Sequence, residues 1–247
     1  IGWYVYPELI DDPSATEPTE GTFATEVTIP EGSEGISIFA AWEIIQYTIK
    51  FDSANDGKGA IVNNGSNTTD YSYTYDIYDT ITFLDDETSS GVYISRGGYY
   101  LDGWTVSSVS IDDTDYTSGT HGNWVLGRTY TDATISNVYG DVILTPNWVP
   151  YTYTLRYNGN GGQTSSGASQ YTQNSERIFT YSDENVITSQ TMDPNQFTRP
   201  GYAFAGWAIG TSGNGPAVYA DKANPNRAPY TDFVPTSNNQ TFDVYAV

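Results

Sequence analysis

The 247-residue chain has few residues that could do chemistry. His121, in the run "SGTHGNW", is the only histidine, and cysteine is absent. A nucleophilic system built on His121 would need Ser or Thr as nucleophile and a carboxylate behind the ring. No Gly-x-Ser-x-Gly elbow occurs to present such a serine, so His121 is expected to be a surface-loop residue. Paired carboxylates are plentiful, as in Asp85-Asp86-Glu87 and Asp112-Asp113-Asp115, and glycoside hydrolysis needs only two. These clusters fall in polar runs where charge is ordinarily solvated. Asp52, Asn55 and Asp56 before Gly57 offer oxygen ligands in a Gly-bent loop, the chemistry of a calcium site. The twelfth position from Asp52 is Asn63 where an EF-hand loop needs Glu. A plain turn is therefore expected, with weak calcium binding near Asp52 and Asp56 left open. The chain is expected to have no catalytic residue, metal site or cofactor, and to be no enzyme.

The elements that must carry these residues are set by composition. With 30 Asp+Glu against 9 Lys+Arg, the formal charge is −21. That sign excludes a basic footprint for nucleic acid and disfavours anionic membrane surfaces. The apolar runs fall far short of the roughly 20 residues that cross a bilayer, so no membrane insertion is expected in this segment. No signal peptide opens the sequence, and any targeting segment is expected to lie outside it. Leu, Ile, Val and Phe are sparse, but 22 Tyr and 6 Trp bury large areas each and can fill a thin core. Ile and Val far outnumber Leu, which favours strands. Without cysteine there are no disulfides.

Internal repeats organise the chain. Gly-Trp recurs at Gly2-Trp3, Gly103-Trp104 and Gly206-Trp207, at Trp-to-Trp spacings of 101 and 103. A second Trp follows at Trp42 and Trp148, each closing an alternating strand; its third counterpart would fall at about position 248. Five residues after each closing Trp a new strand starts, Tyr47-Thr-Ile-Lys-Phe51 and Tyr153-Thr-Leu-Arg-Tyr157, both alternating apolar and polar. Gly-rich stretches at 52–59 and 158–162 read as hairpin turns. Ahead of the internal Gly-Trp pairs stand "RGGYYLDGW" (96–104) and "RPGYAFAGW" (199–207). Lys50, opposite in phase to Ile49 and Phe51, should face solvent. Its counterpart is Arg156, so no isopeptide bond is expected at that position. Trp3, Trp42, Trp104, Trp148 and Trp207, with Gly103 and Gly206, are expected as structural anchors. Trp124 lies outside the pattern and is the candidate for contact with a ligand.

The run "YTLRYNGNGG … RPGYAFAGW … VYA" resembles the Listeria–Bacteroides surface repeat, the B-repeat of internalin-type proteins. The resemblance covers essentially the whole chain, with insertions expected at 63–93, 107–137 and 163–195. Gly97 stands where the third module has Pro200. It implies a mainly β fold of α+β modules, tandem β-grasp (ubiquitin-like) repeats, each a small mixed sheet around a short helix. Segment 182–191, with Ser182 as a cap, is the place for one such helix. The expected division is 1–45 as the end of an incomplete repeat, 46–149 as a second module and 150–247 as a third. The implied role is a non-enzymatic extracellular segment of a cell-surface protein, acting as stalk, spacer or adhesive display. The alternatives are an adhesin module binding a protein or glycan of a host or neighbouring cell through its insertions, or a structural subunit that self-associates by strand exchange.

Overall fold

Alternation along Tyr47–Asp52 decides which side chains enter the core: Ile49 and Phe51 are buried, and Lys50 between them is not. Tyr153, Leu155 and Tyr157 are buried in the same way around exposed Arg156. The computed structural model describes residues 2–5, 38–41, 43–53, 59–86, 91–112, 114–116, 118–173, 178–182, 191–210, 219–221, 223 and 233–247, with backbone alone for 2–5 and 38–41. The chain divides into two compact units, Ile1–Gln46 and Tyr47–Val247.

In the first unit, β1 (Gly2–Val5) and β2 (Ile38–Ala41) pair antiparallel. The second unit opens with β3 (Tyr47–Asp52), β4 (Ala60–Asn63), β5 (Ser66–Thr68), β6 (Asp70–Tyr75), β7 (Thr80–Thr82) and β8 (Val92–Ser95). The long β9 (Tyr99–Ile111) is followed by β10 (Thr114–Tyr116), β11 (Thr120–His121), β12 (Trp124–Val125), β13 (Thr129–Tyr130) and β14 (Thr134–Ser136). Then come β15 (Asp141–Pro150), β16 (Thr152–Asn158), β17 (Gln170–Thr172), β18 (Phe179–Thr180), β19 (Trp207–Ile209) and β20 (Gln240–Ala246).

Two mixed sheets dominate. One runs β10-β9-β15-β3-β6 and the other β17-β16-β20-β19, with β13 and β18 added on β9 and β16. The stretch β6-β3-β15-β9 and the stretch β17-β16-β20-β19 share one pattern of directions: an antiparallel pair, a central parallel pair, another antiparallel pair. Each sheet faces its own hydrophobic core. The first cluster takes Ile49, Phe51, Val106, Val142 and Leu144 from the sheet and adds Ile61, Ile81, Ile94 and Trp124 from short hairpins. The second takes Tyr153, Leu155, Tyr157 and Val244, and adds Phe179, Met192, Phe197, Tyr219 and Phe233.

The fold is mainly β, with no helix among the described residues. Of the helix expected at 182–191, residues 183–190 lie outside the described ones. Two expectations need correction. Segment 63–93 is not simply an insertion, because β6 within it is the antiparallel partner of β3 and completes the main sheet; β17, within 163–195, does the same for β16. The second Gly-rich stretch does lie in the connection between antiparallel β16 and β17, where Gly159 N–H donates to the Ser169 carbonyl and Gly162 N–H closes a turn on Gly159, both at 2.8 Å. After the first stretch, β4 pairs with β5 and β8. Residues 54–58, with Asn55 and Asp56, lie outside the described residues.

Candidate functional site

Of the repeated tryptophans, Trp104 and Trp207 sit in separate cores. Trp104 is buried on β9, edge-on to Phe51 with ring centroids 4.8 Å apart, and its Nε1 donates to the Leu84 carbonyl at 2.7 Å. Trp207 is buried on β19, edge-on to Tyr157 at 4.8 Å and to Phe204 at 4.9 Å. Its Nε1 is buried with no hydrogen-bond partner among the described residues. The glycine before each has positive φ, +136° at Gly103 and +147° at Gly206. A Cβ on Gly103 would lie 2.3 Å from the Tyr130 carbonyl oxygen, so both backbone angle and space demand glycine there. Trp148 is half-buried against the first core, its ring against Gly59. Trp3 lies on β1 opposite Ala40; its side chain, and Trp42 altogether, lie outside the described residues.

Trp124 must be corrected. Its side chain is 0% exposed, edge-on to Tyr130 at 5.8 Å, with Nε1 donating to the Tyr75 hydroxyl at 3.1 Å. An indole enclosed in this way has no face to offer a ligand. The Tyr75 hydroxyl in turn donates to the Gly140 carbonyl, and burial pushes its ionisation well above the ordinary range. His121, on β11, pairs with Trp124 on β12 and is stacked on Tyr116 with centroids 3.6 Å apart, its Nε2 3.1 Å from the Ser118 carbonyl.

Of the carboxylate clusters, Asp86 is engaged in local structure: its carboxylate accepts the Leu101 amide at 2.9 Å, while the backbone carbonyl of Asp85 accepts Ile94 N–H. Among the described residues no group of three or more His, Cys, Asp or Glu side chains could hold a metal ion. Lys50 pairs with Asp70 on β6 at 3.0 Å, its side chain 38% exposed, and Arg156 forms a two-pronged pair with Asp243 on β20. The two cations bridge different strand pairs, although they occupy matching positions on β3 and β16.

The more developed arrangement is at the ends of the cores, and the sequence reading had missed its role. Only Tyr151 separates β15 from β16. Its N–H donates to the Gly98 carbonyl at 2.8 Å, and its carbonyl accepts Tyr181 N–H at 2.9 Å. Tyr181 lies over Gly98 and edge-on to Tyr99 at 5.6 Å, and Tyr100 meets Tyr151 at 5.4 Å. Gly98 has φ +83°, and a Cβ there would sit 2.1 Å from the Tyr181 ring. The Arg96 guanidinium covers the Tyr99 ring at 4.0 Å, a cation–π contact that fixes the ring. The Arg-Gly-Gly-Tyr-Tyr block is thus the surface on which the following core docks.

The matching block of the second core, Arg199–Phe204, borders a cleft of about 570 Å³ instead. Arg199 covers Tyr202 at 4.1 Å and donates through Nη1 to the Asn160 carbonyl at 2.9 Å. Asn160 Nδ2 reaches the Ala246 carbonyl at 3.0 Å, and Val247 closes the rim. Tyr202 is 68% exposed. A cleft of this volume, with aromatic walls and a few fixed polar groups, has the character of a binding site. No family model, no curated protein and no solved structure matches the chain.

Proposed function

We propose that the chain is a run of β-grasp modules of the kind in Listeria–Bacteroides surface repeats, and that it serves as a non-enzymatic spacer on the outside of a cell. One observation carries the reading. Trp3 faces Ala40, Trp104 faces Pro146 and Trp207 faces Ala246 across their strand pairs. In the first two cases the partner lies two residues before a closing Trp, Trp42 and Trp148. That shared register, with the Gly-Trp strand paired antiparallel to the closing strand in all three and the same four-strand order in the two larger sheets, supports one module used repeatedly. The mixed order with a central parallel pair supports the β-grasp assignment. Tyr151, held through both its backbone groups, supports a link that transmits position and does not act as a loose tether. The charge of −21 would keep neighbouring copies apart by self-repulsion.

The test is antibody labelling of intact cells of the source organism with serum raised against residues 47–247. Labelling that appears only after lysis overturns the surface assignment.

A second reading, adhesive display, is favoured by the turn after β6. Tyr78 N–H donates to the Asp76 carboxylate at 2.8 Å and Asp76 N–H to that of Asp79 at 2.9 Å, while the Tyr78 ring is 84% exposed and Ile77 40%. A large ring held out on a bonded turn suits contact with a protein or glycan. Loss of cell-surface binding in Tyr78→Ala, with the fold intact, would support it; undiminished binding would remove it.

A further inference from the structure

Tyr71 and Tyr171 hold matching places in the two cores of the second unit but have different surroundings. Tyr71 on β6 pairs with Phe51 of β3, and Tyr171 on β17 pairs with Tyr157 of β16. The segment beside each is matched as well. Ser95 pairs with Ala60 and Thr198 bridges to Gln163, each nine residues before its buried indole, Trp104 or Trp207. In the second core the protein covers its tyrosine. The Tyr171 ring stacks on Tyr157 at 4.8 Å and meets Phe197 at 5.1 Å, and its hydroxyl donates to the Pro194 carbonyl at 2.9 Å. In the first core the residue in the place of Pro194 is Gly91, thirteen before Trp104 as Pro194 is before Trp207. The Gly91 carbonyl accepts the Asn64 amide instead, at 3.0 Å. The Tyr71 hydroxyl has no hydrogen-bond partner among the described residues.

Beside Tyr71 lies a cleft of about 370 Å³, lined chiefly by Tyr71, Tyr73, Thr80, Thr82, Asp85 and Val92. It exists because β6 and β7 follow one another through the turn at Asp76–Asp79 without pairing; β7 pairs with β14. One hydrogen bond spans the two strands, from the Tyr73 hydroxyl to the Thr82 carbonyl at 3.1 Å, and the Tyr73 ring also meets Phe51 at 6.2 Å. That ring is therefore held in place before any ligand arrives, which lowers the cost of binding against it. Tyr71 stands next to it, with centroids 6.2 Å apart. None of the described residues that line the cleft is Lys, Arg or His.

We infer that this cleft binds a neutral saccharide, of one or two pyranose rings, against Tyr71 and Tyr73. The C–H face of a pyranose is weakly positive and suits the negative face of a tyrosine ring. Sugar hydroxyls both donate and accept, as do the hydroxyls of Tyr71, Thr80 and Thr82, and neighbouring sugar hydroxyls can donate together to the Asp85 carboxylate. The volume falls in the range of small-ligand sites, and aromatic walls with a few polar groups are their usual lining. A uronate or a phosphate would find no cation there and would meet Asp85. An alkyl chain would strip water from the threonine and tyrosine hydroxyls without replacing its hydrogen bonds. The inference goes beyond the spacer reading: it rests on the match between the two cores, and not on where the protein resides. Tyr78, on the turn between β6 and β7, is not part of the cleft.

The experiment is NMR of the full chain with isotope-labelled tyrosine rings, titrated with methyl glucoside, methyl galactoside, methyl mannoside and cellobiose. Glucuronate and an Arg-Gly-Arg peptide serve as charged probes. At least one neutral sugar should shift Tyr71 and Tyr73 and leave Tyr171 unmoved. Tyr71→Phe keeps the ring and should weaken that binding about fivefold, the scale of one hydrogen bond. Tyr78→Ala should leave it unchanged. No shift at Tyr71 with any neutral sugar overturns the inference, and so do equal shifts at Tyr71 and Tyr171 or undiminished binding by Tyr71→Phe. Glucuronate or Arg-Gly-Arg bound there in place of the neutral sugars would give the cleft to a charged ligand and overturn it too. Hydroxyl-proton exchange separates the causes of failure. Slow exchange at Tyr171 and fast at Tyr71, without sugar binding, removes the ligand alone; equal rates remove the difference between the two cores with it.

Discussion

Trp104 stands edge-on to Phe51 with centroids 4.8 Å apart, and Trp207 keeps that distance from Tyr157. The two indoles differ in one respect: Trp104 donates to Leu84, while the Trp207 N–H is buried without a partner among the described residues. Truncation to Ala should cost about 3–5 kcal/mol at either site, through lost burial and the cavity left behind. Replacement by Phe should separate them. At 104 it strands the Leu84 carbonyl, and at 207 it removes an unsatisfied donor, so Trp104→Phe should cost about 1–3 kcal/mol more than Trp207→Phe. Denaturant unfolding of the two variants measures this, and equal costs would show that the hydrogen bond is not what distinguishes the sites.

Trp124, Tyr75 and Gly140 form a buried chain in which the Tyr75 hydroxyl accepts from one indole and donates to one carbonyl. Tyr75→Phe leaves both unpaired and should cost about 1–3 kcal/mol. In a Trp124→Phe background the same change should cost less, because one of the orphaned groups has gone. Additive losses would mean that the two side chains are not coupled.

Much of this was legible in the sequence, and the failures have physical causes. The Gly-Trp pairs mark strands because glycine at positive φ and a buried indole are both hard to replace, so they stand out at a spacing of about 100 residues. Trp124 has no counterpart elsewhere in the chain, and its burial depends on Tyr75, which lies 49 residues away in sequence. Periodicity within its own hairpin cannot show that. Strand β6 was hidden for another reason: "DYSYTY" falls in the stretch by which the module exceeds its repeat pattern, although Tyr71, Tyr73 and Tyr75 alternate as a strand requires. Gly98 and Tyr99 were recognised as part of a block, but a docking role needs Tyr181 from the next core, which no local pattern announces.

Gly98 and Gly201 provide a matched pair for testing that junction. Either change to Ala meets the left-handed backbone penalty of about 1–2 kcal/mol. Only Gly98→Ala also meets the Tyr181 ring, at 2.1 Å. It should therefore destabilise more than Gly201→Ala and loosen the contact between the cores. In a Tyr181→Ala background the excess should vanish. An excess that survives removal of the ring would mean that the clash is not its source.

Alkaline pH should unfold the second unit through its tyrosines. Burial raises Tyr73 from an ordinary value near 10 to about 12, and pushes Tyr75 and Tyr153 higher. The folded chain keeps these protons after the unfolded chain would release them. Their contribution is thus complete below pH 10 and is lost as pH rises through 12 and beyond. Tyrosinate absorbance and near-ultraviolet dichroism should change together in that window. Ionisation of these rings near pH 10 with the dichroism intact would refute the burial argument.

The parallel pairing of β3 with β15, and of β16 with β20, joins the first strand of each core to its last. When a chain is pulled from its two ends, such neighbours are drawn past each other along their length. Their rungs then share the load at once and do not open in turn like a zipper. Resistance to tension therefore follows from the order of strands in the sheet, and depends little on how stable either core is at rest.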